Sequence, residues 1–426
     1  MRLPRRDFGA DLAVFAFLVV LGLVLYGAVF DIPPFDDDNL YALAWVDAAP
    51  VGAVFAVDPA IYPEWRPLAY ASLWLELRLV PSGPVAIHFA INLALWIACA
   101  WLVYRSVHLL AQSRIAALMS ATMVLTDPRA TWALVSIIER QTTMACAFGL
   151  AALLVVLRAD QGRLSWPKGL AVMFLLIASA LSKEYGLAFA LAMVGFAAVR
   201  QRADLRWPAL AACAAYGALR VATTGGAAGT YCEEMYFFFD VRDRCIDLAQ
   251  PSSFPQMAYN VAATVVNLLL PGWLSGEGRP LVAESRLATG TVFLMLAVVG
   301  VARGPVWVKL IATIPIANGL LSFMIYRDRN QLVGACALAI LSGVGLAAGD
   351  GLLRSRTVRV AAGAVIVALL GAQAVLAFAL TNEQRAHARA IEPCASDLRA
   401  RPFVPPFIAR VKSNYGLSDP GCREAY

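Results

Sequence analysis

A chain of 426 residues that is 60% hydrophobic and 15% charged, with a mean hydropathy of +0.67, is too apolar for a soluble globular protein of that length. The composition predicts a multi-pass membrane protein. In that setting the net charge of +6 reports on topology before it reports on a binding patch, so no nucleic-acid partner is expected.

The first apolar run, Leu12 to Phe30, carries no charge and is about as long as a helix needs to cross a ~30 Å hydrocarbon core. It lacks a small-residue cleavage site followed by a soluble domain, so it reads as a retained first helix. Further spans are expected near 85–110, 114–127, 139–157, 168–182, 185–199, 207–222, 288–302, 306–326, 331–349 and 360–381, making about eleven in an all-α, multi-pass fold. Alternate loops then carry Arg2, Arg5 and Arg6; Arg105 and Arg114; Arg158, Arg163 and Lys168; Arg200, Arg202 and Arg206; Arg303 and Lys309; and Arg354, Arg356 and Arg359. The positive-inside rule makes that side cytoplasmic, with the N-terminus inside and the C-terminus outside.

Residues 256–272 are apolar enough to pass as another span but are interrupted by Asn260, Asn267 and Pro271. A span there would invert the later basic loops, so the segment reads as an interfacial helix in the outer leaflet. The expected organisation is a transmembrane domain over 1–381, with external loops at 31–84 and 223–287, followed by a small external tail at 382–426. Cys99, Cys146, Cys213 and Cys336 fall in spans, whereas Cys232 with Cys245 and Cys394 with Cys422 form local external pairs expected to be disulfide-bonded in an oxidising compartment. No CxxC, Cys/His cluster, Walker loop or GxGxxG occurs.

The first external segment reads as two short helices, the second with Leu68, Ala71, Leu75 and Leu79 at helical spacing along the membrane surface. The first opens on Asp36, Asp37 and Asp38. Capping and the helix dipole favour one acid there by ~0.3–1 kcal/mol, while three neighbouring carboxylates repel one another. A solvated cap and a site that binds a cation or performs acid/base chemistry therefore both remain open on these residues alone.

The stretch "DDNLY", followed by "WRPLAYASLWL" and "GPVAIHFAINLALW", resembles the first external loop of the GT-C superfamily of integral-membrane glycosyltransferases. The similarity is greatest to the protein O-mannosyltransferase-like branch, including the transmembrane and tetratricopeptide-repeat mannosyltransferases and bacterial relatives. "DPRATWALVSIIERQTTMACAFGLAALL" resembles that group's third external motif with its arginine, and "LLIASALSKEYGLAFALAMVGF" its SKE signature, so the likeness runs in order through roughly residues 1–200. It implies a glycosyltransferase of a bacterial plasma (inner) membrane with its site facing the periplasm or exterior. The donor would be a polyprenyl-phosphate monosaccharide, and the acceptor a hydroxyl on a glycan, lipid or protein, with membrane lipids as the surroundings. It further implies inverting displacement with Asp37 as general base and Asp38 beside it. Asp38 stands where the family commonly has Glu, Asp36 adds a third acid, and no tetratricopeptide repeat follows.

A leaving polyprenyl phosphate needs cations, and arginine suits phosphate. The candidates at external span ends are Arg140 and Lys183, which lie in the resembling motifs, and Arg327 and Arg329 of "YRDRNQ". Arg66, Glu184, His88 and Asp36 are the further substrate-binding candidates. Against each stands an ordinary role: an interfacial arginine snorkels, Arg140 can pair with Glu139, and His88 can satisfy itself on a neighbouring helix. No cofactor is required by the resemblance, although the acidic run has donors for Mg²⁺ or Mn²⁺. The rival reading is a transporter or flippase of a lipid-linked saccharide. It would favour broken half-helices and inverted internal symmetry, neither of which the sequence displays.

Overall fold

The computed structural model describes residues 8–32, 46–47, 50–55, 65–80, 86–159, 163–224, 231–237, 240–246, 254–269, 280–322, 331–350 and 355–399. Each apolar segment expected from the sequence coincides with a helix. These are α1 (Phe8–Tyr26, extended by a 3₁₀ turn Gly27–Asp31), α4 (Ala86–Ala111), α5 (Arg114–Leu125), α7 (Arg140–Arg158), α8 (Trp166–Ser182), α9 (Leu187–Val199), α10 (Ala203–Thr224), α12 (Pro280–Arg303), α13 (Trp307–Leu321), α14 (Leu332–Asp350) and α15 (Arg356–Arg399). Between them lie the short helices α2 (Val51–Phe55), α3 (Pro67–Leu79), α6 (Ala130–Val135) and α11 (Phe254–Leu269).

Among the described residues five helical stretches are long and apolar enough to cross a membrane: Phe8–Asp31, Ala86–Ala111, Arg140–Arg158, Leu332–Gly349 and Thr357–Ala390. Several shorter apolar helices accompany them, as in a multi-pass membrane protein. Large apolar side chains face outward on α1 and α15, with Phe8 80%, Val24 61%, Val360 65% and Val375 69% exposed. An outward apolar face costs nothing where the solvent is hydrocarbon.

Among the described residues the fold departs from the all-α expectation at one place. Tyr231–Phe237 (β1) and Asp240–Ile246 (β2) form an antiparallel hairpin, in which Cys232 lies directly opposite Cys245. No disulfide occurs among the described residues, where Cys99, Cys146, Cys213 and Cys336 are free. The expected bridges are therefore not borne out; for the first pair only the backbone register is described, and Cys422 of the second lies outside the described residues. Helix α15 also runs on without a break from the apolar stretch through residue 381 to Arg399.

The segment expected to lie at the interface is α11, and its polar face points inward. Asn260, Thr264 and Asn267 are 4%, 1% and 2% exposed, so this face packs against the bundle. Their spacing of four and three residues puts them on one helical face. Helix α11 packs on α13 and α12, with Val265 against Gly319 of α13, and its Leu268 also meets Gly334 of α14. Of the stripe expected on α3, Leu75 and Leu79 are 51% and 71% exposed and Leu68 and Ala71 are half-buried, while Tyr70 and Leu73 on the other face are buried.

Glycines set the closest approach of α12 to α14. A Cβ at Gly345 would fall 1.7 Å from the Leu296 carbonyl oxygen, and one at Gly300 2.3 Å from that of Leu341. Where lipid supplies no hydrophobic drive between helices, such backbone contact is the source of packing energy. Gly345→Ala should therefore cost at least ~1–3 kcal/mol. Gly349→Ala on the same helix, with nothing within 4 Å of the added Cβ, should be neutral. Thermal unfolding in detergent compares the two, and equal melting temperatures would contradict the contact.

Candidate functional site

Polar side chains gather at one end of the bundle. There the first turns of α4, α7, α9 and α14 meet the last turns of α5, α8 and α13 and the 3₁₀ turn after α1. The motifs supply adjacent opposite charges, Glu139–Arg140 at the start of α7 and Lys183–Glu184 after α8, and the fold pairs Glu139 with Lys183, while Arg140 turns to Glu76 of α3 and Glu184 to Arg66 at the start of α3. Arg140 is wholly buried. Its Nε donates to Asn92 Oδ1 at 3.0 Å, Nη1 to Ser72 Oγ at 3.3 Å and to Glu76 Oε1, and Nη2 to the His88 carbonyl at 3.1 Å. Glu76 Oε2 lies 2.8 Å from His88 Nδ1, and Asn92 Nδ2 donates to the Ser136 carbonyl at 3.0 Å.

Lys183 Nζ donates to Glu139 Oε2 at 2.9 Å and Thr142 Oγ1 at 2.8 Å, and the Thr142 hydroxyl donates to the same carboxylate at 2.7 Å. Arg66 forms a two-pronged pair with Glu184, Nε to Oε2 at 3.3 Å and Nη2 to Oε1 at 3.1 Å. Only Glu184 of these six charges is appreciably open, its side chain being 31% exposed. Isolated charges cannot be buried at acceptable cost, so the network is balanced, one carboxylate for each cation. The pairs also fix α3: Arg66 at its start is tied to the turn after α8, and Glu76 near its end to α7.

Arg140, Lys183, Arg66, Glu184 and His88 lie in one network of ion pairs and hydrogen bonds, in which Arg140 and Lys183 turn inward to carboxylates of this chain. Neither presents an open face to a phosphate in this arrangement. Glu76 was missed because it interrupts an otherwise apolar stripe in "LWLELRL", where a lone acid reads as solvated.

A further pair also escaped the sequence reading. Arg129 Nε and Nη2 donate to Asp127 Oδ1 and Oδ2 at 2.9 and 2.6 Å, and Arg129 Nη1 to Gln331 Oε1 at 3.2 Å. The Arg129 backbone N–H bonds to Asp127 Oδ1 at 3.0 Å, so "DPR" reads locally as an ordinary turn into α6. Nothing in that signal reports the charge pair or its partner 202 residues away.

Asp36, Asp37, Asp38, Arg327 and Arg329 lie outside the described residues. The described residues flanking the acidic run, Ile32 and Val46, are 2% and 0% exposed. Ile32 follows the 3₁₀ turn that packs against α4 and α15. Among the described residues no three of His, Cys, Asp and Glu converge as metal ligands.

Away from this end, Asp204 fastens the loop before α8 to α10. It accepts from Arg202 at 2.8 Å through each oxygen and from the Leu164 N–H at 2.7 Å, and the Arg202 hydrogen bonds hold its carboxyl down to about 2. This acid lies ahead of the apolar part of α10 and takes no part in the site.

No known family model matches the sequence, and no curated protein does. Solved structures do match. The archaeal oligosaccharyltransferase AglB from Archaeoglobus fulgidus, in complex with an inhibitory peptide and a dolichol-phosphate, superposes with a TM-score of 0.52 at 12% identity. The match covers 87% of this chain and 56% of that one. An apo-form oligosaccharyltransferase of the same organism gives a TM-score of 0.46 at 13% identity, over 88% and 56%. The chain thus spans little more than half the length of these neighbours. Over the matched part, the chain shares the fold of that archaeal oligosaccharyltransferase.

Proposed function

We propose that the protein is a membrane glycosyltransferase that moves a monosaccharide from a polyprenyl-phosphate donor to an acceptor hydroxyl at the external face. The observation that supports it most is the fold match over 87% of the chain, which joins the ordered motifs of residues 1–200. The neighbour holds a dolichol-phosphate and a peptide, which favours a lipid-linked donor and makes a peptide the first acceptor to try.

In the proposed reaction an acceptor hydroxyl oxygen attacks the anomeric carbon, and its proton passes to the Asp37 carboxylate. The bond from that carbon to the phosphate oxygen breaks, and polyprenyl phosphate leaves with the additional negative charge. Configuration at the carbon inverts. Asp36 and Asp38 lower the local potential and help keep the base ready for a proton, and Arg327 and Arg329 are the cations proposed for the leaving phosphate. Arg140, Lys183 and Arg66 act through position, holding α3, α7 and α8 in register by their ion pairs. Mg²⁺ or Mn²⁺ at the acidic run remains part of the proposal's test, and no step is assigned to it.

The test is turnover in lipid nanodiscs against a panel of polyprenyl-phosphate sugars, with glycan, lipid and peptide acceptors, with and without chelator. Acceptor-dependent release of polyprenyl phosphate is the expected result. Movement of intact lipid-linked sugar across a vesicle bilayer, with the sugar–phosphate bond unbroken, would install the flippase reading in its place.

A further inference from the structure

At the end of the bundle opposite the polar network, the first turns of α8 and α10 stand side by side, separated from the buried ion pairs by the 17 residues of α8, about 25 Å of helix. The loop before α8 is tied to α10 through the Leu164 N–H, which donates to Asp204 Oδ2 at 2.7 Å. Beside this tie the Trp166 and Trp207 rings stack, with centroids 4.6 Å apart and planes 22° from parallel. The pair has a prepared seat. A Cβ at Gly169 would fall 2.5 Å from Trp207 Cζ2, so glycine leaves the space that the indole fills against α8. Trp166 itself stays 65% exposed.

Charge at this end is unbalanced. Residues 158–168 and 200–206 hold six cations, Arg158, Arg163, Lys168, Arg200, Arg202 and Arg206, against two acids, Asp160 and Asp204, a net charge of +4. Asp160 lies outside the described residues, and Asp204 is taken up by Arg202 through two hydrogen bonds of 2.8 Å. Arg163, Lys168, Arg200 and Arg206 are exposed and make no ion pair among the described residues. Further along the same helices the outer surface turns apolar: Phe174 of α8 is 62% exposed and Leu210 of α10 42%. Leu210 lies three residues past Trp207, on the same face of its helix.

We propose that this end of α8 and α10 binds an anionic phospholipid of the adjoining leaflet, its phosphodiester received by the exposed cations, foremost Lys168 and Arg206, and its acyl chains lying over the indole pair, Phe174 and Leu210. Charge complementarity selects the occupant. A surplus of exposed positive charge attracts a lipid of net negative charge, whereas a zwitterionic headgroup brings its own cation. The apolar surface below selects a lipid over a soluble phosphate, and stacked indoles suit the headgroup level, where one side of the ring is wet and the other dry. Basic residues on this side are expected for topology alone; what the fold adds is the convergence of two basic loops on one seated aromatic pair. A lipid bridging the two helix starts would clamp α8 to α10. The site is remote from the proposed reaction and does not rest on it.

The experiment uses the full chain in phosphatidylcholine nanodiscs doped with a photoactivatable phosphatidylglycerol. The expected labelled peptides lie within 163–175 and 203–212, with competition by unlabelled phosphatidylglycerol but not by added phosphatidylcholine or glycerol phosphate. Lys168→Gln combined with Arg206→Gln should lower this labelling roughly tenfold, and Trp166→Ala several-fold. All three positions are exposed, so the variants should melt like the wild type in phosphatidylcholine alone. Arg303→Gln combined with Lys309→Gln removes as many exposed cations from another basic loop and should leave the labelling as it was. Equal loss in the two double variants would reduce the effect to a general attraction of the leaflet and overturn the site. Competition by glycerol phosphate as strong as by the lipid would make it a site for free phosphate, and labelling spread evenly over the basic loops of the wild type would refute it without any variant.

Discussion

Asp37→Asn is expected to lower transfer to a hydroxyl acceptor by roughly 10² to 10⁴ while donor binding is retained, because an amide cannot take the proton as the new glycosidic bond forms. The substitution is nearly isosteric, so the folded protein should purify and melt like the wild type. If Asp37 served as a helix cap, Asn would cap about as well and turnover would hardly change. Parallel Asp36→Asn and Asp38→Asn variants fix the register, since the full loss belongs to the base alone. Initial rates with a saturating donor and a varied acceptor make the comparison. An Asp37→Asn protein with wild-type kcat would remove the base assignment and leave the fold untouched.

Arg140→Ala is expected to destabilise the protein by ~3–5 kcal/mol, because it strands the largely buried Glu76 carboxylate and leaves Asn92, Ser72 and the His88 carbonyl without their donor. This differs from what the sequence predicts for a cation that contacts the leaving phosphate, which would lose activity without loss of fold. Arg140→Lys should recover part of the stability, since an ammonium cannot make the several fixed bonds of the guanidinium fork. Pairing Arg140→Met with Glu76→Leu removes both charges and should restore more stability than either single variant has, the mark of a coupled buried pair. Unfolding followed in detergent reads all five. An Arg140→Ala protein with an unchanged melting temperature but a much raised donor KM would return Arg140 to direct phosphate contact.

Much of the helical frame was legible in the chain, because runs such as Leu12 to Phe30 and Leu332 to Gly349 have no other stable arrangement in hydrocarbon than a hydrogen-bonded helix. The site's chemistry was partly legible too. Arg140 and Lys183 stood out because charge near a span end carries a cost that must be met somewhere. What the sequence could not give was the partner. Glu139 and Arg140 are neighbours, yet Glu139 pairs with Lys183 and Arg140 with Glu76, and consecutive residues at a helix start point in different directions, about 100° apart at 3.6 residues per turn. The same geometry turned Asn260, Thr264 and Asn267 of α11 inward, against a composition that reads equally well as a helix lying on the membrane. Local sequence determines that a segment is helical and how apolar it is. Which neighbour meets each face depends on contacts between residues as far apart as Arg129 and Gln331, and these exist only once the helices have packed.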